Sequence, residues 1–248
     1  MRPLIGINLD YMPAGKIAGA QTRLHAGYID CVNQAEGSPI LLAPVALEYM
    51  DYGLLDRLNG IILAGSPDCI SQRRTKQLTH PSGREMNKIK EDFDFALAQY
   101  AVSKKLPILA IANGMLELNL VTGGTNYAYI AEDMPKALPH KDITGGPHRH
   151  AINILPKTQL DKIYDQPGEI RVNSYHSQAV HKTGPGFKVC AMALDSVIEA
   201  IEPVDPLWFC IGVQWHPHSE TSSALDINLF KAFIHAADER FMSEVSQY

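Results

Sequence analysis

Cysteine is scarce in this chain: only Cys31, Cys69, Cys190 and Cys210 occur among 248 residues, and no two stand in a CxxC pair. That argues against a disulfide framework or a zinc ribbon and makes a reducing, cytoplasmic setting the expectation. Long apolar runs are lacking too. Ile61-Ile62-Leu63 and Ile108-Leu109-Ala110-Ile111 are far shorter than a bilayer demands. The opening Met1-Arg2-Pro3-Leu4-Ile5-Gly6 leads into a strand-like run without the apolar stretch of a signal peptide, so no membrane partner is expected. Nor is there an excess of positive charge. The 22 Lys+Arg are scattered and fall short of the 27 Asp+Glu, for a formal charge of -5, which leaves no basic footprint for nucleic acid. No repeat, low-complexity tract or linker divides residues 1–248, and a single domain is expected.

What is present is 46% hydrophobic and 20% charged residues, enough for a sizeable core. The first half alternates short apolar runs with amphipathic segments. Strands are predicted over 4–9, 39–42, 60–64 and 107–111, and helices over 23–35, 47–58, 85–103 and 115–121. In the long helix, Ile89, Phe93, Leu97 and Tyr100 recur three to four apart and form the predicted apolar stripe. Strands apolar on both faces, separated by helices, predict a parallel sheet covered on both sides. The second half changes to short strands with tight turns at 152–155, 169–172, 187–192, 197–201 and 209–214, predicting an antiparallel extension before a terminal helix over 226–241. The polar segments 71–84 and 131–148 lack a period and fit either ordinary surface loops or site-forming ones.

Pro107-Ile108-Leu109-Ala110-Ile111-Ala112-Asn113-Gly114-Met115 has the grammar of a nucleophile elbow. A buried strand ends, one residue sits on a sharp turn, a glycine permits close passage and a helix begins. Open α/β sheets bind ligands at that edge. Together with segments 60–68, 172–178 and 212–217, the stretch 108–124 resembles the class I glutamine amidotransferase-like hydrolases, nearest to the gamma-glutamyl-gamma-aminobutyrate hydrolases. Gly6-Ile7, Leu118-Asn119, Gly123-Gly124, Asn173-Ser174, His176 and Gln178 extend the likeness over nearly the whole chain. The resemblance implies a flavodoxin-like three-layer α/β sandwich with a mostly parallel sheet. It also implies a Cys-His-Glu triad that cleaves γ-glutamyl amides through a thioester. The thiolate is activated by a base and a helix N-terminus, and backbone N–H groups hold the oxyanion.

Carried over residue by residue, the pattern changes where the chemistry sits. Ala112 stands at the nucleophile position, Asn113 and Leu116 replace the usual arginine and glutamine, and the oxyanion glycine pair reads Gly65-Ser66. His216 keeps its place, whereas His218 occupies the position of the orienting glutamate. In subtilisin, losing the nucleophile costs on the order of 10⁶ in turnover, and losing the orienting charge costs about 10⁴ in serine proteases. Thioester chemistry is therefore expected to be absent. The cleft is expected to bind a small glutamyl or amino-acid-like ligand through Gly65, Ser66, Asn113 and Gly114, with His176 and His216 at its wall. A homodimer or a partner-subunit role falls within this reading.

Two alternatives stand beside it. One is noncovalent chemistry with His216 as general base, tuned by His218 or Glu220. The other is an authentic hydrolase inactivated by an engineered substitution, although changes at five linked positions fit natural divergence better. Cys69, close to the oxyanion loop, is weighed as a replacement thiol and assigned to packing. His148 and His150, like His216 and His218, have a spacing that lets imidazoles share a metal with His176. However, His176 and His216 are explained by the resemblance, and His148 and His150 flank Arg149 in an expected loop. Neither a metal nor a cofactor is expected. Trp208 and Trp215 are assigned to packing, and Lys88, Lys90, Glu91, Asp92 and Asp94 chiefly to a solvated, ion-paired helix face, with support of the elbow by Lys90, Glu91 and Asp94 as the alternative.

Overall fold

The first half of the chain alternates strand and helix. In order it holds β1 (Leu4–Asn8), a ribbon of β2 (Asp10–Met12) and β3 (Gln21–Arg23), α1 (Ala26–Gln34), β4 (Ser38–Leu42), α2 (Tyr52–Leu55), β5 (Gly60–Leu63), α3 (Gln72–Thr75), α4 (Lys88–Ser103), β6 (Ile108–Ile111) and α5 (Asn113–Val121). The second half is strand-rich: β7 (Thr125–Tyr127), α6 (Ile130–Asp133), β8 (Arg149–Ile154), α7 (Gln159–Tyr164), β9 (Gly168–Asn173), β10 (Ala179–Lys182), β11 (Phe187–Ala193), β12 (Ile198–Pro203), β13 (Cys210–Val213) and α8 (Ile227–Val245). The structure, a computed structural model, describes residues 2–16, 18–78, 80, 83–142, 148–165 and 168–245.

One sheet runs in the order β4-β1-β5-β6-β13-β12-β11-β8-β9, with β10 pairing β12 and β7. The strands from β4 to β13 pair in parallel, and from β12 onward the pairing is antiparallel. This is the parallel core with an antiparallel extension that the sequence predicts. Alternate residues of the core strands enter opposite cores. Ile62, Leu109, Ile111 and Val213 pack with Tyr28 and Val32 of α1 and Leu229, Phe230 and Phe233 of α8. Ile61, Leu63, Ile108 and Ala110 pack with Phe93 and Leu97 of α4 and Met115 of α5. Each fully buried side chain of this size contributes about 1.5–3 kcal/mol. Two covered faces make three layers.

Several expectations change in detail. The predicted helix over 47–58 is a 3-10 turn at Leu47–Tyr49 followed by the one-turn α2. Asp51 caps α2 by accepting the Leu54 N–H at 3.1 Å, which starts a new turn instead of continuing the old one. Arg23, placed by sequence at the start of a helix, lies in β3 opposite Asp10. The apolar stripe of α4 is also rotated: Ile89 is 39% exposed, while Lys90, Glu91 and Asp94 are buried. These charges therefore do not form a solvated face. They lie inward because each has a buried partner, described below. Trp215 is fully buried, and Trp208 donates its indole N–H to the Leu106 carbonyl at 2.7 Å, so both pack as expected. No helix among the described residues is long and apolar enough to cross a membrane.

Candidate functional site

Because β5, β6 and β13 are adjacent and parallel, the segments that follow them emerge at one edge of the sheet. Those segments carry Gly65-Ser66, Ala112-Asn113 and His216-His218. They line one cleft of about 390 Å³ with His176, Tyr175, Tyr28, Asp10, Arg23 and His25. Of the residues singled out in the sequence for ligand contact, Gly114 alone is not in its lining. A Cβ at Gly114 would lie 2.1 Å from the Leu63 carbonyl oxygen, so glycine there permits α5 to cross β5.

Ala112 is the turn residue between β6 and α5, with φ 53 and ψ −116. A non-glycine residue in that region carries roughly 1–3 kcal/mol of backbone strain. It is held there from both sides: its N–H donates to the Val213 carbonyl at 2.8 Å, and the Asn113 side-chain amide donates to the Asp68 carbonyl. The residue lines the cleft with a methyl group. Around it, several donors are engaged within the protein. The Gly65 N–H donates to the Tyr28 hydroxyl oxygen at 3.1 Å, and the Ser66 hydroxyl donates to Asp10 at 3.0 Å.

Beneath this loop runs a buried polar chain. The Ala64 N–H donates to Asn8 Oδ1 at 2.6 Å, and Asn8 Nδ2 donates to Asp94 at 2.7 Å. Asp94 also pairs with Lys90. Glu91 accepts from the Ser71 N–H and hydroxyl at 2.8 and 2.9 Å and from Arg73 at 2.6 Å. The inward charges of α4 thus tie down the segments on either side of the loop after β5. Their partners, Asn8 and Ser71, lie 86 and 20 residues from them in sequence.

Two of the cleft histidines, His216 and His218, are held neutral. Burial, then the charges of His176 and His25, bring His216 down to about 4. Burial, then His216 and His25, bring His218 down to about 2. His218 stacks on Tyr28 with ring centroids 3.6 Å apart and planes 19° apart, and its Nδ1 has no hydrogen-bond partner. Asn173 clamps the backbone of His216, accepting its N–H at 2.8 Å and donating to its carbonyl at 3.0 Å. Glu220 does not orient His216; it is exposed and pairs with His25 at 3.5 Å. Cys69 lies outside the cleft lining, with its thiol pushed up chiefly by burial. It has neither the position nor the acidity of a replacement nucleophile.

The metal-type spacing seen in the sequence resolves differently from the expected pairs. His150 is not in a loop but in β8, and with His176 it meets His140 and Glu199, all four buried. His216 and His218 are not among those four and stand edge-to-face with each other at 5.6 Å. Glu199 and His140 were not singled out in the sequence. The first sits in a strand with no motif around it, and the second in a segment read as a polar loop. Asp10, Arg23 and Tyr28 were also missed. Only the β2–β3 pairing brings Arg23 against Asp10, at 3.0 Å, beside the cleft.

A family model, Peptidase C26, matches residues 3–218. The chain belongs to the Peptidase C26 family. Among its relatives, it is 33% identical over 240 residues to Protein NtpR of Enterococcus hirae, covering 94% of this chain and 99% of that protein. It is 30% identical over 249 residues to the gamma-glutamyl-gamma-aminobutyrate hydrolase of Escherichia coli O157:H7, covering 94% and 93%. Among solved structures, the glutaminase domain of Trypanosoma brucei CTPS with bound acivicin matches with a TM-score of 0.63 at 15% identity, covering 96% of this chain and 94% of that one. A glutamine amidotransferase from Thermotoga maritima matches with a TM-score of 0.57 at 13% identity, covering 100% and 85%. These structural likenesses show the α/β fold that the resemblance implies.

Proposed function

We propose that this Peptidase C26 protein is γ-glutamyl hydrolase-like in form, does not use thioester chemistry, and binds a small glutamyl or amino-acid-derived ligand in the elbow cleft. The observation that carries the reading is Ala112, which keeps the strained backbone of an elbow, φ 53 and ψ −116, yet presents only a methyl. A cleft of about 390 Å³ is of small-molecule size. The Arg23–Asp10 pair beside it offers one group to a carboxylate and one to an ammonium, as an amino-acid-like ligand requires.

Noncovalent chemistry through His216 is disfavoured by its basicity. A general base works best with a pKa near the operating pH, whereas His216 is brought down to about 4 and His218 supplies no negative charge to stabilise an imidazolium. A lone engineered substitution is disfavoured by integration of the neighbouring changes. The Asn113 amide holds the Asp68 carbonyl, and Leu116 is fully buried.

Calorimetric titration with glutamate and a γ-glutamyl amide, paired with an assay of glutamate release, tests the proposal. Wild-type protein is expected to bind without turnover. Ala112→Cys alone is expected to stay about 10⁴ below a complete triad, because the orienting charge is still missing. Release by the wild type that is abolished in His216→Ala would overturn the proposal, as would absence of binding to either compound. Full activity in Ala112→Cys would instead establish the engineered-substitution account.

A further inference from the structure

Behind the cleft wall, four side chains from separate parts of the chain converge. They are His140 from the segment after α6, His150 from β8, His176 from the segment after β9 and Glu199 from β12. Their nearest donor atoms all lie within 4.8 Å of one another, and all four residues are buried. Glu199 Oε1 is 3.1 Å from His140 Nδ1 and 3.4 Å from both His150 Nε2 and His176 Nε2. His140 Nδ1 is 3.1 Å from His176 Nε2.

The outer nitrogen of each ring faces an atom that can only accept. His140 Nε2 meets the Asp195 carboxylate at 3.0 Å, His176 Nδ1 the Gln178 carbonyl at 3.0 Å, and His150 Nδ1 the Ala151 carbonyl at 3.2 Å. Each outer nitrogen therefore carries its ring's proton, and the inner nitrogens turn lone pairs toward the carboxylate. Acceptors behind the imidazoles in this way fix tautomer and orientation at metal-binding histidines. With the ring protons on the outer nitrogens, His150 Nε2 and both oxygens of Glu199 are left with no hydrogen-bond donor. Buried polar atoms left in that state are heavily penalised.

We infer that His140, His150, His176 and Glu199 form a closed four-ligand site for a divalent transition-metal ion of the zinc type. Ligand bonds of about 2.0–2.1 Å in a tetrahedron place donor atoms about 3.3–3.4 Å apart; four of the six donor separations are 3.1–3.4 Å, and the other two lie within 4.8 Å. A single added proton bridges one or two of these edges, whereas one cation at the centre serves all four donors. Three imidazoles and a carboxylate suit zinc better than magnesium or calcium, which favour oxygen sets. Four protein ligands in a buried setting leave no open position, so the ion has a structural role. It fastens β8 and β12 to the segment carrying Tyr175 and His176 at the cleft.

The test uses the full chain stripped with a chelator and reloaded with Zn²⁺, or with Co²⁺ as a spectroscopic probe. Metal analysis is expected to find about one equivalent per chain, and Co²⁺ to give the intense visible bands of a tetrahedral site. The unfolding temperature is expected to rise by roughly 5–10 °C at about 100-fold excess over Kd. Glu199→Gln, close in shape and neutral, is expected to lose the bound metal and the thermal response, whereas His235→Ala on the surface of α8 keeps both. Failure of Zn²⁺ and Co²⁺ to bind or stabilise the wild type would overturn the inference, and this measurement does not depend on any variant folding. Metal retained undiminished in Glu199→Gln would overturn it equally.

Discussion

If Ala112 stores backbone strain, removing its Cβ has a different consequence from removing the same methyl two residues earlier. Ala110 is fully buried in β6 and has ordinary strand geometry, and Ala112 is 4% exposed. At Ala110, glycine costs about 0.5–1 kcal/mol in chain entropy and about 0.8 kcal/mol for the lost methyl burial, a destabilisation of roughly 1.3–1.8 kcal/mol. At Ala112 the same losses are offset by release of about 1–3 kcal/mol of strain. The outcome for Ala112→Gly therefore lies between about 0.8 kcal/mol of loss and about 1.7 kcal/mol of gain. The decisive quantity is the difference between the two variants, at least about 1 kcal/mol, or about 2 °C or more in Tm for a chain of this size. Thermal and urea unfolding followed by circular dichroism reads it directly. If Ala112→Gly loses as much stability as Ala110→Gly, the elbow at Ala112 is unstrained and the reasoning fails.

His216 and His218 make stability fall with acid. Above the ordinary histidine value of 6.5 their contribution is intact. As pH falls from 7 to 5 the unfolded chain takes up protons that His216, at about 4, and His218, at about 2, refuse, removing roughly 2 kcal/mol each. His218→Phe, which keeps a ring on Tyr28, is expected to flatten the dependence of the urea midpoint on pH over that window; an unchanged slope would refute the assignment. Lys90→Met leaves Asp94 buried without its cation and is expected to cost about 3–5 kcal/mol. A loss below about 0.5 kcal/mol, the range typical of surface sites, would show that the α4 charges are not the support of the loop after β5.

The sheet was legible because its core strands are apolar on both faces and their spacing by helices leaves few topologies. The cleft was legible because glycine, turn and histidine signals fall at the ends of three strands that a parallel sheet makes neighbours. Pairings set at long range were not. The inward face of α4 carries Lys90, Glu91 and Asp94, and an apolar-period reading turns such a helix the wrong way. Only the approach of Asn8 and Ser71 accounts for burying those charges. The strands β7 and β10 pair with each other across more than fifty residues and carry no strong local signal. Glu199 is one of two carboxylates in β12 with no motif around it, and its nearness to three histidines emerges only when β12 is set beside their segments.

The conformation of the elbow and its reactivity are controlled by different parts of the chain. Ala112 is held in its turn by the β6–β13 register, by the passage of Gly114 over the Leu63 carbonyl, and by the Asn113–Asp68 contact. None of these depends on the side chain at Ala112. A chain can therefore exchange a thiol for a methyl there without relaxing the backbone, and the walls of the cleft keep their shape. On the proposed reading, thioester chemistry at this cleft would need a charge as well as a nucleophile. The position of His218 is committed to stacking on Tyr28, whose hydroxyl in turn accepts the Gly65 N–H. A carboxylate at that position would have to displace an aromatic contact that also fixes the loop after β5. On the proposed reading, the packing of Tyr28 against His218 stands against thioester chemistry in addition to the methyl of Ala112.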